Sequence, residues 1–220
     1  MRICKKRKIA TNPCYFFYVI VECEKKQKKG LRTLEKDKTT VRKIAKIVIA
    51  TAIILIATII LRNIILKINY PQKYSEYVEK YAKEFKIEKE LIYAMIKAES
   101  NFKHDAVSSK GALGLMQILE STAYEVAGEI KLEITKEEII NPETNICLGT
   151  KYISNLIQRY GNIELAIASY NAGIGNVDNW IEEETIEEDG TDIENIPFKE
   201  TNNYVRKILR DYKIYKQLYN

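Results

Sequence analysis

The alternation of apolar and polar positions divides the chain into three stretches. Lys-rich polar text runs to Lys46, and the next twenty residues, Ile47 to Leu66 (IVIATAIILIATIILRNIIL), carry one charge, Arg62. At about 1.5 Å per residue this run is roughly 30 Å long, the thickness of a bilayer's hydrocarbon. It is apolar all round, which suits lipid, and Arg62 near its end can snorkel to the headgroups. After a short linker, 67–73, the pattern becomes amphipathic. Tyr74, Tyr77, Val78, Tyr81, Ala82 and Phe85 recur at three- and four-residue steps, one face of a helix. The same periodicity predicts helices from Glu88 to Glu99, Thr144 to Tyr160, Ile163 to Asn171 and about Glu200 to Tyr219. No alternating pattern long enough for a strand is present. The expected architecture is a single N-terminal transmembrane helix followed by a mainly α domain over 74–220.

Charge adds an orientation. Residues 1–46 hold 15 Lys and Arg against four acids, whereas the remainder holds 20 against 26. Arg42, Lys43 and Lys46 crowd the N-terminal flank of the apolar run, and positive flanks stay in the cytoplasm. The expectation is a single-pass plasma-membrane protein with a basic cytoplasmic segment, 1–46, and an extracytoplasmic domain. The text after the run offers no small-x-small cleavage site, so an uncleaved anchor is preferred to a signal peptide. The acidic outer part excludes a nucleic-acid partner and electrostatic steering to an anionic wall. Cys4, Cys14 and Cys23 have spacings that match no zinc pattern, and Cys147 stands alone beyond the run. No metal or cofactor is expected. The stretch Glu182 to Glu194 holds eight acids and reads as a solvated loop.

One residue breaks the apolar pattern in a chemically informative way. Glu99 lies seven residues after Ile92, four after Met95 and three after Ile96, so a carboxyl ends the core-facing stripe of its helix. Burial would raise its pKa and keep it protonated near neutrality, as a general acid requires. A helix-terminal Glu satisfied by a structural hydrogen bond is the alternative.

The text around it decides between them. Glu99-Ser100-Asn101-Phe102 is followed by Ala106-Val107-Ser108, Gly111-Ala112-Leu113-Gly114-Leu115-Met116-Gln117-Ile118 and Ser121-Thr122-Ala123. Later come Asn141-Pro142, Asn145-Ile146, Leu148-Gly149, Tyr152, Ala168-Ser169-Tyr170-Asn171-Ala172-Gly173, Ile196-Pro197-Phe198, Glu200-Thr201 and Tyr204-Val205. In order and spacing, over residues 74 to 215, this series resembles the SLT domain of lytic transglycosylases, a goose-type-lysozyme-like family. The resemblance implies a lysozyme-like helical domain that binds peptidoglycan glycan strands. It implies cleavage of the β-1,4 bond between N-acetylmuramic acid and N-acetylglucosamine, with closure to a 1,6-anhydro end.

Carried onto this chain, the resemblance makes Glu99 the catalytic residue, acid and then base. It assigns substrate contacts to Ser108, Met116, Gln117, Tyr170, Asn171, Glu200 and Tyr204, with Tyr170 able to orient Glu99 through its hydroxyl. For several of these a plainer role competes: loop capping for Ser108, core filling for Met116, helix-start stabilisation for Glu200. Glu120 stands where the family usually has Pro, Ser169 where Ala is common, and Asn202 where Arg is frequent. A hydrolytic lysozyme using the same groove, and a non-catalytic wall-binding scaffold, are the alternatives in function.

Overall fold

A computed structural model describes residues 13–219, with side chains from residue 21 onward except at 34. Cys4 and the start of the basic segment lie outside the described residues, as does the side chain of Cys14. Contacts divide the chain into two units, the second beginning at Ile64. The apolar run lies within one long helix, α1 (Pro13–Asn69). Among the described residues this is the one helix long and apolar enough to cross a membrane. Every described side chain from Val21 to Ile65 is exposed, so none of the described residues covers that part of the apolar stretch.

The second unit is built from helices, with no named strand among the described residues. The predicted helices are α2 (Ser75–Phe85), α3 (Lys89–Glu99), α5 (Pro142–Tyr160), α6 (Ile163–Ala172) and α8 (Lys199–Tyr219). Two helices escaped sequence reasoning. In α4 (Glu120–Glu129) the buried face is only Ala123, Val126 and Ala127, too small a stripe to register as a period. The other, α7 (Ile174–Glu182), follows Gly173 and contains Gly175, and its buried residues are only Val177 and Trp180, too few to mark a period. The acidic stretch after it is exposed for the most part, but Ile186 is buried and the Asn162 amide donates to the Asp189 carbonyl at 2.7 Å.

α3 lies at the centre. Leu91 through Ile96 are all buried, and the helix packs against α8 and α2. The main core gathers α3, α5, α6 and α8, while a smaller core joins Ile118, Ala123, Val126, Ala127, Ile139 and Leu148. Leu115 and Met116 belong to the first core and Ile118 to the second, so the Gly-Leu-Met-Gln segment bridges them.

The segment is locked by one buried amide. Asn145, fully buried on α5, accepts from the Met116 amide at 2.7 Å and donates to the carbonyls of Leu113 and Ile139, both at 2.9 Å. A Cβ on Gly114, whose φ is 76°, would stand 2.3 Å from the Asn145 amide nitrogen, so this position must be Gly. Removing the amide orphans the Met116 N–H and the Ile139 carbonyl and leaves the Leu113 carbonyl with the Ile118 amide alone. Asn145→Ala should destabilise the domain by about 2–4 kcal/mol, a fall in Tm of roughly 5–15 °C. Calorimetry at fixed pH checks this, and an unchanged Tm would deny Asn145 its role as the lock.

Candidate active site

Because the body of α3 is fixed in the core, its last residue is presented with little freedom. Glu99 closes the helix, and the chain then turns through Asn101 (φ 49°) and Phe102 (φ 65°). Two consecutive non-glycine residues in the left-handed region are unfavourable. Burial of Phe102 and the Ser100 hydroxyl, which donates to the Leu115 carbonyl at 2.8 Å, hold them there. The helix end and the Gly-Leu-Met-Gln segment are thereby joined.

The Glu99 carboxyl, Oε1, accepts a hydrogen bond from the Tyr204 hydroxyl on α8. Burial pushes its pKa up to about 7; the Tyr204 hydroxyl and the Lys207 ammonium pull the other way and do not offset it. Position at a helix C-terminus also disfavours the carboxylate. Lys207 donates to the neighbouring Ala98 carbonyl at 3.1 Å. Tyr204 and Tyr170 are held far above the ordinary tyrosine range by burial and, secondly, by the charge of Glu99. Both therefore remain neutral donors.

The structure distributes the expected site residues unevenly. Tyr204 meets the carboxyl, whereas the Tyr170 hydroxyl donates to the Met116 carbonyl at 2.8 Å, its ring tilted against Tyr152 with centroids 5.1 Å apart. The hydroxyl that meets the Glu99 carboxyl is therefore that of Tyr204 and not of Tyr170, since α8 packs directly on α3 while the Tyr170 hydroxyl on α6 goes to the bridging segment. The Met116 side chain is fully buried against Gly149, so it faces the core. Gln117, half-buried at φ 48°, turns its amide onto the Ala106 and Gly114 carbonyls at 3.0 and 2.8 Å. Ser108 accepts from the amides of Lys110 and Ala112, closing its own turn. Asn171 is exposed and accepts from the Thr201 hydroxyl at 2.7 Å, and Glu200 is exposed in the first turn of α8. Asp105 is exposed, and Glu120 pairs with Lys136 at 2.7 Å.

Sequence reasoning overlooked Ser100, Asn145 and Lys207 as site-building groups. Nothing local singles out the first two, since Ser100 lies between Glu99 and Asn101 and Asn145 follows Glu143 and Thr144. Among the described residues no cluster of three His, Cys, Asp or Glu could hold a metal ion. What the geometry offers is one half-dry carboxyl, protonated in part at neutral pH and steadied by a neutral tyrosine.

The Transglycosylase SLT domain profile matches residues 76–193, which include α3, the bridging segment and α6. The chain belongs to the Transglycosylase SLT domain family. Soluble lytic murein transglycosylase of Escherichia coli K12 is 32% identical over 144 residues, which cover 64% of this chain and 22% of that protein. Membrane-bound lytic murein transglycosylase C of Yersinia pestis is 38% identical over 116 residues, 48% of this chain and 32% of that one. Among solved structures, an inactive mutant of lytic transglycosylase Slt from Pseudomonas aeruginosa, in which one Glu is replaced by Gln, matches with TM-score 0.64 and 35% identity. That match covers 69% of this chain and 25% of the other. The chain therefore spans only about a fifth to a third of the length of these relatives.

The raised pKa of Glu99 has a consequence for stability whose sign is fixed. The folded state holds the proton more tightly than the unfolded chain, so Glu99's contribution is full below its ordinary pKa of 4.5 and is lost as pH rises toward about 7. The loss is on the order of 3 kcal/mol. Glu99→Gln keeps an acceptor for Tyr204 and cannot ionise. Its stability relative to the native chain should rise between pH 4 and pH 8, as read by denaturant unfolding across this range; a pH-independent difference would refute the raised pKa.

Proposed function

We propose that this member of the SLT family is a peptidoglycan lytic transglycosylase, anchored in the plasma membrane by residues 47–66 with its catalytic domain outside. The observation that carries the reading is Glu99: a carboxyl near the pKa a general acid needs, bonded to Tyr204, inside the matched segment. The names of its relatives, and the inactive Glu-to-Gln mutant among the solved structures, support it. The exposed apolar run and its basic N-terminal flank support the anchor and its orientation.

In the proposed cycle the Glu99 carboxyl gives its proton to the bridging glycosidic oxygen as the bond from the N-acetylmuramic acid C1 breaks. The resulting carboxylate takes the proton of that sugar's own 6-hydroxyl as its oxygen attacks C1. The proton count closes without water, and Glu99 ends as it began. Glycosidases that use water or a covalent intermediate employ a second carboxyl; here the nucleophile belongs to the substrate and acts at high effective concentration. Tyr204 keeps the carboxyl oriented through both steps, and its hydroxyl can strengthen its bond as the carboxylate forms. Tyr170, through the Met116 carbonyl, and Gln117 keep the bridging segment in place beside it.

Full-length chain incubated with peptidoglycan should release muropeptides with anhydro ends, identified by mass. Glu99→Gln should lower their rate by about 10²–10⁴-fold. Reducing-end products would move the reading to a lysozyme, and no products from a folded, wall-binding chain would move it to a scaffold. Activity should fall on the alkaline side as Glu99 loses its proton near pH 7. Tyr204→Phe removes a bond that lowers this pKa, so its alkaline limb should move upward while kcat drops. An unmoved limb would exclude Tyr204 as the positioning residue.

A further inference from the structure

Residues 67–73 were expected to be a linker, and instead α1 continues to Asn69 and the residues after it are bonded into the domain. The Tyr219 hydroxyl donates to the Tyr70 carbonyl at 2.7 Å, the Tyr215 hydroxyl to the Pro71 carbonyl at 3.0 Å, and the Tyr70 hydroxyl to Asp211 at 3.1 Å. Around this tyrosine cluster stand three cations. The Lys67 ammonium lies 5.8 Å from the Tyr219 ring centre and that of Lys97 lies 4.7 Å from the Tyr70 ring centre. Arg210, its side chain 64% exposed, pairs with the buried Asp211 at 2.9 Å. In the same turns of chain, Ile64, Ile65 and Ile68 are exposed.

We propose that this cluster is a docking surface for the headgroups of anionic phospholipids on the outer face of the membrane. The proposal rests on the reading of residues 47–66 as a membrane span. Lys67 follows the apolar run directly, so chain continuity places it at headgroup level if that run crosses the bilayer. Tyrosines and cations beside uncovered isoleucines are the composition of a membrane–water interface. Charge is segregated to match. From Ile47 onward acids outnumber Lys and Arg 26 to 20, yet α8 alone carries six Lys and Arg against two acids. Three of them, Arg206, Arg210 and Lys213, are exposed at steps of four and three on one face. Asp211 leaves a net positive cluster and holds Tyr70 and Arg210 in place, and an anionic surface attracts such clusters.

The test uses the full chain in nanodiscs of phosphatidylcholine, with and without phosphatidylglycerol. Residues 1–46 carry excess positive charge of their own, so total lipid binding would not discriminate and the readout must be local. With Cys4, Cys14 and Cys23 changed to Ser and Cys147→Ala, a nitroxide is attached at Gln217→Cys, an exposed position on α8. Added phosphatidylglycerol should lower its collision rate with a water-soluble nickel chelate severalfold. Lys67→Gln, Lys97→Gln and Arg210→Gln together should abolish that response, and Lys67→Arg with Lys97→Arg should keep it. Equal collision rates in the two lipids, or an undiminished response in the folded triple variant, would overturn the docking surface alone. A chain that fails to enter nanodiscs would overturn the anchor and this surface with it.

Discussion

A hydroxyl on residue 204 meeting a carboxyl on residue 99 is the contact around which the domain is organised. A carboxyl can be kept half-dry near neutral pH only if its surroundings are fixed, since any loosening would admit water and return its pKa to the ordinary range. That requirement explains why Glu99 terminates the most deeply buried helix and why its partner comes from the longest helix of the second unit. Packing of α3 against α8 makes the bond, and the bond in turn offers the carboxyl its one strong donor. Keeping the carboxyl in that setting carries a stability cost at neutral pH.

A second constraint is the bridging segment, which has little regular structure and yet must not move. Three side chains, one just past the end of α3 and the others on α5 and α6, hold its backbone: Ser100 takes the Leu115 carbonyl, Asn145 the Met116 amide and Leu113 carbonyl, and Tyr170 the Met116 carbonyl. Polar side chains buried for this purpose cost little, because each has its partner. Gly114 and Gly149 mark where the segment comes closest, against Asn145 and Met116 respectively. Much of the motif that reads as a binding signature is therefore a device for fixing backbone, and Met116, Ser108 and Ser100 belong to it.

How much was legible in the sequence follows from the range of each interaction. Helices with wide apolar faces, such as α3, α5 and α8, announce themselves by period, and their ends are marked by groups such as Asn141, which accepts from the amides of Glu143 and Thr144. The small-residue face of α4 and the glycine-started α7 carry no such signal. Glu99 was legible because a carboxyl in an apolar stripe is a local anomaly. Its partner was not, because the choice between Tyr170 and Tyr204 is made by how α6 and α8 pack, more than a hundred residues along the chain in the case of Tyr204. The bonded state of residues 67–73 was hidden for the same reason: the tyrosines that fasten it lie at the far end of the sequence.

That fastening changes what a tether means here. α8 carries Tyr204 near its start and Tyr219 at its end, fifteen residues later, a rise of about 22 Å along one continuous helix. At one end of that rise is the acid, and at the other is the chain leaving the apolar run. A flexible linker would let the domain sample many heights, whereas a helix bonded to residues 70 and 71 gives the distance between acid and exit point a single value.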